Sequence, residues 1–193
     1  MSYDSKTLST FLSEVGSEAV TPAGGTCVAV VGAIGASLCE MTCVHTIGKD
    51  GYGDVEPELV SAADELASLR SQLLRLADSD ARVVEDLLEA TDEDRQGRMK
   101  RATGVPLTIA EASLAVLESA VVVTEKGSEN ARPDAGSGAF LVKAALQAAV
   151  FTVRTNIAYI DDPAFVETME QRTAEIEAAA AELFEQIESN LAL

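Results

Sequence analysis

Two adjacent glycines at the start of a long apolar run are the first feature that suggests chemistry. The run spans residues 21–49 and opens on Pro22, Gly24 and Gly25. Glycine has no side chain, so the backbone N–H groups around this pair can approach a ligand closely. Proline is tolerated in the first turn of a helix. The pattern predicts a helix whose first N–H groups face a ligand.

Cys39, Cys43 and His45 lie close together in the same run, at a spacing that suggests metal ligands. A structural zinc site needs four ligands, and no fourth is apparent. Free cysteine is among the most buried residue types. The sequence therefore predicts core thiols rather than a metal site, and His45 is left as a group that titrates near neutral pH.

Two stretches are locally basic in an otherwise acidic chain. Residues 95–110 contain four bases and no acid, and residues 126–160 contain four bases against Glu129 and Asp134. One interpretation is a site for an anionic ligand. The other is ion pairing with neighbouring acidic helices, which composition favours because surface ion pairs are common.

The element that must position these residues is an apolar segment of 19 residues, 26–44. Its length is sufficient to cross a bilayer. Glu40 near one end and the lack of a second comparable segment argue against a membrane span. We expect instead the buried central helix of a bundle, apolar all round because its neighbours cover every face.

Apolar residues at helical spacing predict further helices along the chain, and Gly/Pro-rich segments separate them. The fold class predicted is all-α, a single domain over residues 1–193 with about six helices around the central one. The other predicted helices are 4–17, one that starts at Pro57 with an apolar stripe over 59–76 and an extension to 88, 105–123 with Pro106 in its first turn, 139–159, and Pro163 onward; the predicted breaks are 50–56, 91–98 and 126–138.

Composition restricts the partners and the compartment. The formal charge is −18, from 32 acidic and 14 basic residues, so a nucleic-acid partner is not expected. Three cysteines and a start without signal-peptide features indicate the reducing cytoplasm. An acidic, lysine-poor surface is typical of a protein that works in molar salt, which predicts a halophilic source.

Several motifs, in order along the whole chain, resemble those of the cyclodeaminase family, which includes the C-terminal half of formiminotransferase-cyclodeaminase and free-standing methenyltetrahydrofolate cyclohydrolases. The matching segments are Pro22–Thr26 for a Pro-Gly-Gly-Gly-Ser loop, Thr46–Lys49 with Tyr52 for Thr-Ile-Gly-Lys and a tyrosine, Asp80–Ala81, Val105–Leu107, Gly127–Ala135 for Gly-Asn-x-Asn-x-x-Ser-Asp-Ala, and Thr152–Asn156 for Asn-Val-Arg-x-Asn. The ordered set is more specific than any single motif.

This resemblance implies an all-helical homodimer that binds a tetrahydrofolate derivative, with no cofactor beyond that substrate. The first expected activity is formiminotetrahydrofolate cyclodeaminase, which forms 5,10-methenyltetrahydrofolate and releases ammonia. The alternative is methenyltetrahydrofolate cyclohydrolase, which opens the same ring with water. Both reactions need a proton shuttle and a polar shell around a planar cation. A separate formiminotransferase partner is left open.

Catalytic roles are predicted for Asp134 and Lys49. Asp134 is expected to act as the general base and acid at the folate nitrogens, or to hold the pterin; its alternative role is an N-cap of the next helix. Lys49 is expected to donate to the departing ammonia or to bind a carboxylate. The alternative for Lys49 is a charge partner of the helix C-terminus.

Substrate binding is predicted for six further residues. They are Gly24, Gly25 and Thr26 at the helix N-terminus, then Asn130, Asn156 and Asp80. Asn130 also suits a turn, and Asp80 also suits a solvated kink in the Asp-Ser-Asp cluster. His45 stands where the family usually has an apolar residue, which weakens a catalytic role for it.

Departures from the family motifs keep a different class of function open. Pro133 replaces a serine, and Thr152 and Ser128 each replace an asparagine, while Ala23 and Thr26 are mild changes. The alternative is a helical dimer that binds folate, or simply associates, without turnover.

Overall fold

Six α-helices joined by short segments form the fold of residues 2–192 in the computed structural model. They are α1 (Leu8–Val15), α2 (Gly24–Val44), α3 (Glu56–Leu88), α4 (Arg95–Lys126), α5 (Arg132–Ile157) and α6 (Pro163–Leu191). A single 3-10 turn, Tyr3–Ser5, precedes α1, and no strand occurs among the described residues. The predicted all-α bundle around a central apolar helix is confirmed.

Helix α2 packs against α3 and α5, and to a smaller extent against α4. Its contact with α5 is close because glycines face each other. A Cβ placed on Gly35 would lie 2.6 Å from the carbonyl oxygen of Gly138, and one on Gly138 would lie 2.7 Å from that of Gly35. The hydroxyl of Thr42 donates to the carbonyl of Ala131 at 3.0 Å, so the end of α2 meets the start of α5. The two helices therefore run antiparallel.

One face of α2 is not covered by the rest of the chain. Ile34 is 46% exposed and Val44 is 62% exposed, whereas Ala29 and Ala36 on the opposite side are fully buried. The expectation that neighbours cover every face of the central helix is therefore wrong for the single chain. Its apolar residues face outward along one side.

Three helices, α2, α4 and α5, are long and apolar enough to cross a membrane by length and composition alone. The argument that α2 has no comparable second segment is therefore wrong. Much of the apolar surface of α4 and α5 has another explanation, because Val116, Leu117 and Leu146 are buried against neighbouring helices. The absence of a membrane partner stays a prediction.

Several predicted boundaries differ from the structure. Helix α4 begins at Arg95 rather than at 105, and Pro106 lies inside it. Helix α5 begins at Arg132 rather than at 139, because Pro133 occupies its first turn, where a missing N–H leaves no helical hydrogen bond unmade. The exposed break is thus shorter in both places.

The course of α3 differs from the prediction, whereas the start of α6 agrees with it. Helix α3 runs through the Asp-Ser-Asp cluster to Leu88 without interruption, so the proposed kink at Asp80 is wrong. Helix α6 begins at Pro163 as predicted, and the side chain of Asp162 caps it by accepting from the N–H groups of Ala164 and Phe165.

Candidate functional site

A buried carboxyl group lies at the first turn of α2. The hydroxyl of Thr26 donates to Asp80 Oδ2 at 2.9 Å. Thr26 is fully buried and Asp80 is 3% exposed. Burial raises the pKa of Asp80, and hydrogen bonds from the side chain and backbone of Thr26 lower it in part. We call Gly24, Gly25, Thr26 and Asp80 the N-end cluster.

Gly25 is required by the position of this carboxyl group. A Cβ on Gly25 would lie 2.6 Å from Asp80 Cγ, which is too close for any side chain. The first N–H groups of a helix have no carbonyl partner within the helix, and they carry a partial positive charge. The N-end cluster therefore combines a proton-accepting group with a helix terminus that favours anionic or electron-rich atoms.

A cavity of about 560 Å³ lies between α3 and the segment that precedes α2. Thr21 and Ala81 contribute to its wall, and each is close in sequence to a residue of the N-end cluster or to Pro22. The wall also carries charged side chains, namely Lys6, Glu14, Asp78, Arg82 and Glu85. This volume lies within the usual range of small-molecule pockets.

A second polar group lies beyond the other end of α2. Lys49 Nζ donates to Ser128 Oγ at 3.1 Å. The N–H of Ser128 donates to Thr46 Oγ1 at 2.9 Å, and that hydroxyl donates to the carbonyl of Thr42 at 2.7 Å. We call Thr42, Thr46, Lys49 and Ser128 the C-end cluster. Among the described residues, no carboxylate forms an ion pair with Lys49.

Asn130 and Asp134 lie near the C-end cluster, and both are exposed. Asp134 is in the first turn of α5, whose N-cap is Ala131, so the alternative in which Asp134 is the N-cap is wrong. Sequence reasoning did not place Thr42, Thr46 or Ser128 in the site. The two threonines could have been identified from their four-residue spacing across the C-terminal end of an otherwise apolar helix.

The predicted site residues therefore fall into two groups that one chain does not bring together. The N-end cluster lies at the start of α2 and the C-end cluster lies at its last turn and just beyond it. A helix of 21 residues is about 30 Å long at 1.5 Å per residue. Within a single chain, Asp80 and Lys49 therefore cannot both contact the reacting carbon of one substrate.

Asn156 has a structural contact that sequence reasoning missed. Its side-chain N–H donates to the carbonyl of Ala102 at 3.1 Å. That carbonyl is four residues before Pro106, which has no N–H to offer it. Asn156 therefore supplies the hydrogen bond that the proline removes from α4, and its substrate-binding role stays a prediction.

The three candidate metal ligands differ in burial. Cys39 and Cys43 are fully buried, and burial raises their pKa values to about 12 and about 11. His45, in contrast, is exposed. Within residues 2–192, no group of three His, Cys, Asp or Glu side chains is arranged to hold a metal ion. The two thiols lie in the core, as predicted.

Ion pairs account for half of the locally basic residues. Arg98 pairs with Asp94, Lys100 with Asp162, Lys126 with Glu58, and Arg154 with Glu177. Each pair is partly solvent-exposed, so its contribution to stability is small. For these four bases the structure favours pairing with acidic helices over a site for an anion.

Comparisons with known proteins cover most of the chain and agree with one another. The sequence profile described as formiminotransferase-cyclodeaminase matches residues 7–175. The chain is 35% identical over 190 residues to a protein named methenyltetrahydrofolate cyclohydrolase from Methylorubrum extorquens, covering 92% of this chain and 90% of that protein. It is 27% identical to the formimidoyltransferase-cyclodeaminase of Sus scrofa, covering 89% of this chain and 34% of the pig protein.

The fold has a solved counterpart. The crystal structure of formiminotetrahydrofolate cyclodeaminase from Thermotoga maritima superimposes with a TM-score of 0.95 at 28% sequence identity. The match covers 98% of this chain and 97% of that one. The helical arrangement described above is therefore that of a known fold.

Proposed function

We propose, because the chain belongs to the formiminotransferase-cyclodeaminase family, that it hydrolyses 5,10-methenyltetrahydrofolate to 10-formyltetrahydrofolate. The observation that carries this choice is the 35% identity to a methenyltetrahydrofolate cyclohydrolase, which extends over 90% of that protein. The name of the Methylorubrum extorquens cyclohydrolase and that of the Thermotoga maritima cyclodeaminase both refer to a one-carbon adduct of tetrahydrofolate. The choice between hydrolysis and ammonia release is therefore the part of the proposal that the assay below tests.

The chemistry fits a buried carboxyl group beside a helix N-terminus. Water adds to the carbon between N5 and N10, and one of its protons passes to a base. The C–N5 bond then breaks as N5 takes a proton and the hydroxyl on that carbon loses its own, so that one proton is released per turnover. Asp80, whose pKa is raised by burial, is the buried group beside the helix N-terminus that can accept and return that proton. Lys49 carries an uncompensated positive charge that suits the folate carboxylates.

A second candidate is formiminotetrahydrofolate cyclodeaminase, and the Thermotoga maritima structure of that name supports it. In that reaction N10 attacks the formimino carbon, and a proton goes to the departing ammonia. The tetrahedral carbon between N5 and N10 is the same, so one site can serve either reaction. A separate formiminotransferase would then have to supply the substrate.

The test is an absorbance assay in molar KCl that follows the methenyl chromophore with purified protein. Loss of added 5,10-methenyltetrahydrofolate, faster than the spontaneous rate, supports the cyclohydrolase. Appearance of the chromophore from formiminotetrahydrofolate, with one ammonia per turnover, moves the assignment to the cyclodeaminase. Saturable folate binding without turnover of either compound leaves the non-catalytic binding protein.

Variants connect the assay to the two clusters. We expect Asp80→Asn to lower kcat/KM by about 100-fold or more, the scale of a lost proton-transfer group. Lys49→Ala should lower kcat/KM by about 10- to 100-fold, mainly through a higher KM, because a charge-assisted contact to the substrate is lost. Asp64→Asn is the matched control for the first, because Asp64 is exposed on the same helix. Lys126→Ala is the control for the second, because Lys126 pairs with Glu58 at the same end of the bundle. Full activity of both cluster variants contradicts their assigned roles.

A further inference from the structure

A groove between α3 and α4 shares no residue with either cluster and contains a buried hydroxyl group. Its volume is about 310 Å³. Its carboxylates are exposed, whereas Ser119 is 4% exposed. We call it the α3/α4 groove and define it by six residues of its wall: Glu58, Ala62 and Glu65 of α3, and Glu118, Ser119 and Val122 of α4.

The hydroxyl of Ser119 is buried without a hydrogen-bond partner. Among the side chains that the structure describes, one other shares this property, namely Ser113. Ser113 faces the core, where a Cβ on Gly32 would lie 3.4 Å from its Oγ. Ser119, in contrast, belongs to the wall of a groove. A buried polar group without a partner costs free energy, so Ser119 marks a place where a ligand can supply the missing hydrogen bond.

The carboxylates of the groove are arranged in two places along the antiparallel helices. In the first, Lys126 near the end of α4 pairs with Glu58 near the start of α3. Seven residues away along each helix, about 10 Å, Glu65 stands opposite Ser119, and Glu118 adds a second carboxylate. Among the described residues, neither Glu65 nor Glu118 forms an ion pair. The second place therefore presents two carboxylates and a hydroxyl group without a base.

The chemistry of these groups selects the class of cation. An ammonium group has three N–H donors and no acceptor, and Glu65, Glu118 and Ser119 offer one acceptor group for each donor. Within residues 2–192, no three His, Cys, Asp or Glu side chains are arranged to hold a metal ion. Ala62 and Val122 add apolar surface to the wall, which suits methylene groups. The groove therefore fits an alkylammonium ion better than a metal ion.

We propose that the α3/α4 groove binds a small primary alkylamine in its ammonium form, whose nitrogen donates to Glu65, Glu118 and the Ser119 hydroxyl. The chain contains an example of this chemistry, because the ammonium group of Lys126 meets another carboxylate of the same groove. The formal charge of −18 also raises the concentration of cations near the surface. This site does not depend on the proposed function, since it needs no folate and no turnover.

The test uses butylamine, which is protonated at neutral pH, and amide NMR of the ¹⁵N-labelled protein at low ionic strength. The shift changes should saturate and should centre on residues 58–65 and 118–122. Butyltrimethylammonium is the matched control ligand, because it has the same charge and chain but no N–H donor. It should bind about tenfold more weakly or worse. Equal affinity for the two ions, or shifts that are scattered or do not saturate, overturns the site. Displacement of butylamine by Mg²⁺ at a lower concentration overturns the choice of an amine.

Two variants test the individual contacts, with folding checked by circular dichroism. Glu118→Gln should weaken butylamine binding by about tenfold or more, because a charge-assisted hydrogen bond is lost. Ser119→Ala should weaken it by about two- to tenfold, the range of a neutral hydrogen bond. Glu182→Gln is the matched control, since Glu182 lies in another acidic groove, between α4 and α6, and it should leave the affinity unchanged. An equal loss in Glu182→Gln shows general attraction to an acidic surface and overturns the site, and unchanged affinity in Ser119→Ala overturns the role of the hydroxyl group.

Discussion

Asp80 is the one charged side chain among the described residues that is almost wholly buried. Its partner, Thr26, offers hydrogen bonds but no positive charge. A carboxyl group without a cationic partner costs free energy when it ionises in such a place, which is why its pKa is raised. Groups whose pKa is shifted by burial are common at functional sites.

The fit between Gly25 and Asp80 leads to a prediction about stability. Gly25→Ala should lower the free energy of unfolding by about 1–3 kcal/mol, because the new Cβ must displace the buried carboxyl group. Gly24→Ala is the matched control, since a Cβ there meets nothing within 4 Å. Urea unfolding of both variants measures the difference. Equal stability of the two would show that Asp80 moves aside freely.

The raised pKa of Asp80 predicts a pH dependence of stability. Its protonated form is favoured in the folded chain, so its contribution is complete below the ordinary aspartate pKa of about 3.9 and is lost as the pH rises through the raised folded value. The free energy of unfolding of the wild type, relative to Asp80→Asn, should therefore fall from acid to neutral pH. Urea unfolding of both proteins at several pH values tests this, and a difference that rises with pH contradicts it.

The sequence contains a signal for the burial of Asp80 that its immediate neighbours obscure. Leu59, Leu66 and Leu73 are fully buried at seven-residue steps, and Asp80 is the next position in that series. The polar cluster around it favoured a solvated kink instead. The helical phase of the whole of α3 predicts the burial, whereas local composition does not. The hydrogen bond to Thr26 could not be predicted, because it depends on how α2 and α3 align.

At the scale of the helix, Pro106 shows why α4 starts ten residues before its predicted position. A proline inside a helix removes one hydrogen bond, so a pattern with proline is normally interpreted as a helix start. Here a different helix supplies the missing donor, as Asn156 of α5 reaches the carbonyl of Ala102. Such compensation between helices cannot be predicted from the residues near the proline.

This interaction predicts coupling between two positions that are distant in sequence. Asn156→Ala should lower the free energy of unfolding by about 1 kcal/mol or more, because a buried carbonyl loses its partner. In Pro106→Ala the new backbone N–H can take the same carbonyl, so removing Asn156 should have a smaller effect there. A double-mutant cycle by urea unfolding measures the coupling. Strictly additive effects would contradict the compensation.

The whole molecule shows what one sequence can and cannot predict about assembly. The all-α fold follows from composition and from helical spacing, as the stripe of α6 illustrates with Met169, Ile176 and Ile187 all buried. The predicted site residues, by contrast, are divided between the two ends of α2. A sequence can suggest which residues belong to a site, but the distances between them require the fold.

Net charge is the other property of the whole molecule that leads to a prediction. Three carboxylates, Glu125, Glu182 and Glu185, line one groove between α4 and α6 without a basic residue in its wall. At low salt such groups repel one another, and the repulsion is screened as the Debye length falls from about 30 Å at 0.01 M to about 3 Å at 1 M. The free energy of unfolding of the wild type should therefore rise with KCl concentration.

Replacing the three glutamates by glutamine should raise the stability at low salt and make the dependence on KCl shallower, as urea unfolding across a KCl series would show. A wild type whose stability is independent of KCl would remove the physical basis for a halophilic source, and an unchanged slope in the triple variant would place the repulsion elsewhere on the surface.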